Sequence, residues 1–303
     1  MPIPCYPDFT PLDIGLKDDL HPRLSMTPDG VSEFTFSILY LYRNKFKYRV
    51  SRNSPHESGD AGFIFSGEQT DHLTKKTFTY FMAPCNAPDW ETVKSLLETH
   101  DKWISISESV LFPISEKLAE NGINITEDRN NFDYLYYRSD LAELAGKKYH
   151  KKKNHINNFL HTYPDYEQHA MSKELIPAAI DILDRWRQGR SEDGDYKEAR
   201  EALELFGSLP LQGMVFFAGG KPAAYCLGES ISRGKMFAVH FEKAIDEYKG
   251  IYQFINHAFA SSLPRFFTVI NREQDMGNEG LRQAKMTYRP FGFVKKYTAS
   301  VKI

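Results

Sequence analysis

Cysteine is scarce in this sequence. Cys5, Cys85 and Cys226 are the three it has, and none stands at the CxxC spacing of a zinc or dithiol motif, which leaves buried or incidental thiols. No run of roughly 18 apolar residues occurs, so no membrane-spanning helix is expected. The opening residues MPIPCYPDFTPLDIG lack the basic stretch and apolar core of a secretory leader, and a cytoplasmic protein is the expectation. A broad basic excess is missing as well: the net charge is −2 and the sequence pI about 6.6, which argues against a protein that coats DNA. Low-complexity tracts are absent too. What remains, 41% hydrophobic and 26% charged over 303 residues, is the composition of a folded chain long enough for one large or two ordinary domains.

Against that near-neutral background one stretch stands out. Gly146–Phe159 reads GKKYHKKKNHINNF, with five lysines and two histidines. Helical spacing puts Ile156, Phe159, Leu160 and Tyr163 on one packed stripe. Lys147, Lys151, Asn154 and Asn158 then lie on one flank, and Lys148, Lys152 and His155 on the other. Lys147–Tyr163 contains no acid to relieve like-charge repulsion, which points to an anionic partner. A nuclear address would need to be exposed and flexible, unlike a segment that continues into a packed helix. His150 and His155, five apart, do not share a helical face well enough for a metal pair, and no metal site is expected.

The periodicity repeats. Helical patterns at Leu12–Leu24, ended early by Pro22, and at Ser32–Asn44 precede strands at Phe46–Arg52, Gly62–Ser66 and Thr77–Met82, with turn-rich NSPHESGDAG and GEQTDHLTKK between them. A helix at Asp89–His100, a strand at Trp103–Glu108, a helix at Ile114–Glu120 and a strand at Phe132–Arg138 follow. The second half gives helices at Lys173–Arg187 and Tyr196–Phe206, then GMVFF and PAAYCLGES around a glycine hairpin at Ala218–Lys221, then KMFAVHFEK. It closes with a helix at Ile251–Ser262, a strand at Phe266–Glu273, a helix at Glu279–Tyr288 and a strand at Phe293–Val301. Helix, helix, three strands, helix, strand, helix, strand appears once in each half, which predicts an α/β chain with mixed sheets that is internally duplicated.

That order resembles the GNAT acyltransferase fold, and a tandem pair joined by a helix looks like the Fem-type aminoacyl-tRNA-dependent transferases. More specifically, FDYLYYRSDLAELAGKKYHKKKNHINNF (Phe132–Phe159) and INREQDMGNEGLRQAKMTYRPFGFVKKY (Ile270–Tyr297) are similar to segments of the C-terminal domain of phosphatidylglycerol lysyltransferases and their soluble relatives. The resemblance implies a tandem duplicated GNAT-like fold: an N-terminal half at 1–138, a linking helix at 139–163, and a second half at 164–303 that carries the site. It implies a transferase that moves an acyl or aminoacyl group from an activated donor, aminoacyl-tRNA or acyl-CoA, to an amine or hydroxyl by direct attack, with no tightly bound cofactor. GNAT acetyltransferases cradle the CoA pyrophosphate on a Q/R-x-x-G-x-G/A turn. Here Glu247–Tyr252 keeps one glycine, Gly250, preceded by Lys249, and puts Tyr252 where a small residue belongs. No counterpart of the multi-span membrane domain of the lipid-modifying relatives is seen either.

Acyl transfer needs an oriented donor, a group that takes the acceptor's proton, and donors for the developing oxyanion. Strand alternation in KMFAVHFEK sets His240 and Glu242 opposite Phe237, Val239 and Phe241. In the next strand Asn271 and Glu273 share a face. His240 or Glu242 is the candidate general base, with Asn271 positioning substrate and Glu273 beside them; a strand with one wet face would show the same alternation. NREQD (Asn271–Asp275), polar directly after FFTVI, reads either as ligand-facing or as a salt-bridged loop. The last helix turns Leu281, Ala284 and Tyr288 inward and leaves Arg282, Lys285 and Arg289 for solvent or a phosphate. Candidate donor-binding groups are Arg138, Lys148, Lys152, Lys249, Gly250, Arg272, Lys285 and Arg289, facing a tRNA acceptor end or CoA. The competing reading is a non-catalytic module that holds RNA or an anionic metabolite.

Overall fold

The computed structural model describes residues 2–53, 62–70 and 74–301. The turn expected in NSPHESGDAG falls mainly at 54–61, outside the described residues; of GEQTDHLTKK, Gly67–Thr70 is strand instead of turn and 71–73 lie outside the described residues. Among those described, the strands are β1 (Thr10–Pro11), β2 (Arg49–Arg52), β3 (Phe63–Thr70), β4 (Thr77–Met82), β5 (Lys102–Ser107), β6 (Ile123–Glu127), β7 (Asp133–Tyr137), β8 (Glu167–Ala170), β9 (Gln212–Ala218), β10 (Lys221–Ile231), β11 (Met236–Ala244), β12 (Val269–Asn271), β13 (Gly292–Val294) and β14 (Lys296–Val301). They form two seven-stranded sheets, ordered β1-β2-β3-β4-β5-β14-β6 and β13-β7-β12-β11-β10-β9-β8.

The expected duplication is visible in both. An antiparallel meander, β2-β3-β4 in one sheet and β9-β10-β11 in the other, is followed by one parallel neighbour, β5 beside β4 and β12 beside β11. A parallel pair cannot be joined by a tight turn, so each needs a crossover helix. Trp90–Thr99 and Ile251–Ser262 supply it. The hairpin between β9 and β10 turns on Gly219 and Gly220, whose φ values of 60° and 68° suit glycine.

The closing strands depart from the expectation. The strand read as the end of the first half, Phe132–Arg138, is β7 and pairs with β12 of the second sheet. The strand read as Phe293–Val301 is split: β13 lies at the edge of the second sheet, while β14 runs between β5 and β6 of the first. One compact unit therefore consists of Met1–Asp133, Gln274–Glu279 and Phe293–Ile303, and the other of Tyr134–Glu273 and Gly280–Gly292. The short strands β6 and β8, largely exposed, carry no alternation and were not legible in the sequence. Pro22 lies inside a helix that continues to Leu24 instead of ending it early.

In the first unit, Asp89 caps the helix Trp90–Thr99 by accepting from the Thr92 N–H at 2.9 Å. The helix buries Val93 and Leu96 against Phe81 and Trp103, whose rings stack at 5.2 Å. What ties β14 here is Lys296. Its ammonium, with no exposed surface, donates to Asp133 at 2.7 Å and to Glu33. Asp133 also accepts from the Ser32 N–H and hydroxyl, each at 2.8 Å. A buried lysine without such partners would be strongly destabilising.

Two carboxylates share this one ammonium. Burial pushes Glu33 up to about 7, opposed by the charge of Lys296 and reinforced by Asp133. A raised folded value means that the contribution is fully present below the ordinary value near 4.5 and is lost as pH rises through about 7. Urea unfolding should therefore weaken between pH 5 and 8 by about 2–3 kcal/mol. Glu33→Gln should flatten that slope; an unchanged slope would show that Glu33 is not the titrating group.

A basic groove beside a buried ion-pair network

The second unit holds every residue singled out for the site. The basic segment is a short 3-10 turn, Lys147–Tyr149, followed by the helix His150–Thr162. Ile156 and Phe159 face inward as the periodicity requires, and Phe159 stacks on Phe254 of the helix Ile251–Ser262 with centroids 4.5 Å apart. Its lysines wall a groove of about 710 Å³. Lys147, Lys148, His150, Lys151, Lys152 and His155 form one side, and Gln283, Met286, Thr287 and Arg289 the other, with no carboxylate among them.

Gly250 explains how the two helices come so close. Its φ is 86°, and a Cβ there would stand 2.6 Å from the carbonyl oxygen of His155. The glycine expected to cradle a phosphate instead admits a backbone carbonyl. An anion at that position would meet an oxygen lone pair. Lys249 is exposed, and Tyr252 donates its hydroxyl to the Ala244 carbonyl at 3.3 Å.

Lys152 points inward from the groove. Its ammonium lies 4.1 Å from the ring centroid of Tyr288, and the Arg272 guanidinium lies 5.4 Å from the same ring. Burial, and then the charge of Arg272, hold the Lys152 ammonium below the ordinary lysine value. Arg272 donates through Nη2 to both oxygens of Glu242 at 3.0 Å. With its amide turned oxygen-first, Asn256 accepts from Arg272 Nη1 at 2.5 Å. Burial disfavours the guanidinium charge, but Glu242 together with Tyr288, Tyr136 and Cys226 more than restores it, so the Arg272 pKa is raised.

His240 sits at a bulge. Leu227 pairs with Phe241 but Gly228 pairs with Val239, which leaves His240 as the extra residue of β11. Its ring bridges two acids, with Nδ1 2.7 Å from Glu273 Oε1 and Nε2 3.1 Å from Glu229 Oε1. Burial alone would lower its pKa, yet the two glutamates raise it to about 9. The side chain has no exposed surface, so the ring is a paired imidazolium with no free lone pair for a substrate proton.

The polar run after β12 is a locked turn. Asn271 Oδ1 accepts from the Glu273 N–H at 2.7 Å, and Glu273 takes a φ of 56°. Lys285, expected to face solvent and a phosphate, is buried and donates to the carbonyls of Arg272 at 2.5 Å and Glu273 at 3.0 Å. Leu281 and Ala284, expected inward, are exposed. The helix is rotated because those carbonyls need a donor more than the groove needs another cation. Arg138 reaches the Ala260 carbonyl at 3.3 Å and does not line the groove. Lys148 lines it while pairing with Asp140 at 3.2 Å, and Arg289 lines it exposed. Glu229 and Asn256 were missed by sequence reasoning, since single polar residues within apolar segments carry no periodic signal. Among the described residues no cluster of histidine, cysteine and acids could hold a metal ion.

Two mixed sheets, each with a parallel pair after a meander, define a tandem GNAT-like fold, and the second unit carries the basic groove. The sequence model of the family described as "Phosphatidylglycerol lysyltransferase, C-terminal" matches residues 25–300, and the chain belongs to that family. A conserved protein of unknown function from Bacteroides thetaiotaomicron VPI-5482 superposes with a TM-score of 0.84 at 29% identity, covering 97% of this chain and 99% of that one. FemX shares the fold with a TM-score of 0.62 at 8% identity, over 97% of each chain. An uncharacterized protein of Mycoplasmoides gallisepticum is 26% identical over 191 residues, a match that spans 58% of either chain.

Because the His240 pKa is raised, its stabilisation is complete below about 6.5 and lost as pH rises through about 9. His240→Gln should cost roughly 3 kcal/mol at pH 6.5 and remove the decline in urea midpoint between pH 7 and 9.5. A variant that keeps that decline would refute the assignment. Gly250→Ala should cost about 2–4 kcal/mol, from left-handed strain plus the carbonyl contact, as read by chemical denaturation. A loss below about 1 kcal/mol, the strain alone, would mean that the helices separate freely.

Proposed function

We propose that this chain transfers an aminoacyl group from aminoacyl-tRNA to an amine or hydroxyl acceptor. The observation that carries the reading is the groove walled by Lys147, Lys148, Lys151, Lys152 and Arg289 without a carboxylate. Lys152 has no carboxylate partner among the described residues, so an RNA phosphate would supply the missing counter-charge. Membership of the lysyltransferase family supports an aminoacyl donor. The His155 carbonyl facing Gly250 disfavours acyl-CoA, whose pyrophosphate would need that position open.

The acceptor attacks the carbonyl carbon of the donor ester. A bond from nitrogen or oxygen to that carbon forms, and the bond to the terminal ribose oxygen breaks. Glu242 takes the acceptor's proton and returns it to the departing ribose oxygen. Arg272 uses one nitrogen for both Glu242 oxygens, which leaves further lone pairs on the carboxylate. Asn271 and His240 act through position: one shapes the turn that carries Glu273, and the other is the cation that holds Glu273 and Glu229. Among the described residues no helix is long and apolar enough to cross a membrane.

The test is transfer of label from charged tRNA, with acyl-CoA as the competing donor, to acceptors in a cell extract. Glu242→Gln should lower the transfer rate about 10²–10⁴-fold with RNA affinity unchanged. Lys151→Glu with Lys152→Glu should abolish salt-dependent RNA binding. RNA binding with no transfer from either donor would leave a binding module and overturn the enzyme reading.

A further inference from the structure

Beside the groove lies an aromatic pair that the chemistry above does not use. Tyr137 and Phe291 stack at 4.1 Å with their planes 15° apart, yet they remain 48% and 45% exposed. The pair is held rigidly: the Phe291 N–H donates to the Leu135 carbonyl at 3.0 Å, and the neighbouring Tyr136 hydroxyl donates to the Lys285 carbonyl at 2.8 Å. Phe291 follows Arg289, a wall of the groove, by two residues, which is at most about 7 Å of chain. Arg138 adjoins Tyr137 in sequence.

We propose that Tyr137 and Phe291 are a stacking platform for an unpaired nucleobase of the donor RNA. The inference rests on the tRNA reading of the groove and adds the part of the RNA that the lysines cannot hold. Cations track the backbone, while an unpaired base is held by a flat ring that accepts any base face. A strand whose phosphates meet Lys151, Lys152 and Arg289 brings its bases past Phe291. The parallel stack suits a planar ligand better than acyl chains, and the adjoining cations suit a polyanion.

The test compares a short single-stranded RNA that ends in CCA with the same RNA made abasic at its last two nucleotides. Binding is followed by fluorescence anisotropy, and thermal unfolding confirms that each variant is folded. Phe291→Leu and Tyr137→Leu should each weaken the intact RNA about 5- to 100-fold and leave the abasic RNA unchanged, while Phe291→Trp should restore binding. Equal effects on both RNAs, or none on either, overturn the platform while the groove reading stands. If the unmodified chain binds neither RNA, the donor reading falls and the platform with it. If Phe291→Leu loses binding to anionic phosphatidylglycerol vesicles, or changes oligomeric state, with RNA affinity intact, the rings serve a lipid surface or a second copy and the proposal is wrong.

Discussion

A guanidinium mostly withdrawn from water must be surrounded by acceptors, and Arg272 imposes that requirement on the second unit. It stands at the end of β12 and takes Glu242 from β11, Asn256 from the helix Ile251–Ser262, and the ring of Tyr288. Its own carbonyl is then taken by Lys285. Three segments, β11, the helix Ile251–Ser262 and Lys285–Tyr288, are thereby fixed around one side chain. The same arrangement places Lys152 against Tyr288, so the groove's innermost cation is held in place by the network behind it.

Close packing of the basic helix depends on one backbone fact. Only a residue without a Cβ, in a left-handed conformation, lets the His155 carbonyl approach the start of the helix Ile251–Ser262. With the carbonyl seated there, Phe159 meets Phe254 and the lysines turn outward together. The glycine that a phosphate-cradle motif would claim thus has a packing reason sufficient by itself, and the positive charge is gathered on the lysine wall.

Much of this was legible in sequence. The repeated order of elements gave both meanders and both crossover helices, and the apolar spacing of Ile156 and Phe159 gave the face of the basic helix. Three things were not legible, each for a physical reason. The exchange of closing strands is decided by Lys296, whose partners Asp133 and Glu33 lie far away in sequence. The inward turn of Lys285 answers to two backbone carbonyls that no pattern reveals. His240 breaks alternation at a bulge, so a face assignment by period two could not describe its environment. His240 and Lys285 have surroundings other than those expected because a buried charge is governed by its partners, and residue type says little about those.

The two sheets resolve their parallel pairs differently. In the first, Phe81 of β4 pairs in register with Trp103 of β5, and their stacked rings enter the apolar core. The polar groups there are Lys102, opposite Tyr80, and the exposed Asp101, which accepts from Thr79. In the second, the register ends at Ala238 with Asn271, and beyond it come His240, Glu242, Arg272 and Glu273. An apolar junction stabilises by excluding water and offers a substrate no directional contact. A charged one must be held by paired neighbours. Duplication thus supplied two scaffolds of one design, and side-chain choice at the parallel pair made one an apolar core and the other a buried ion-pair network.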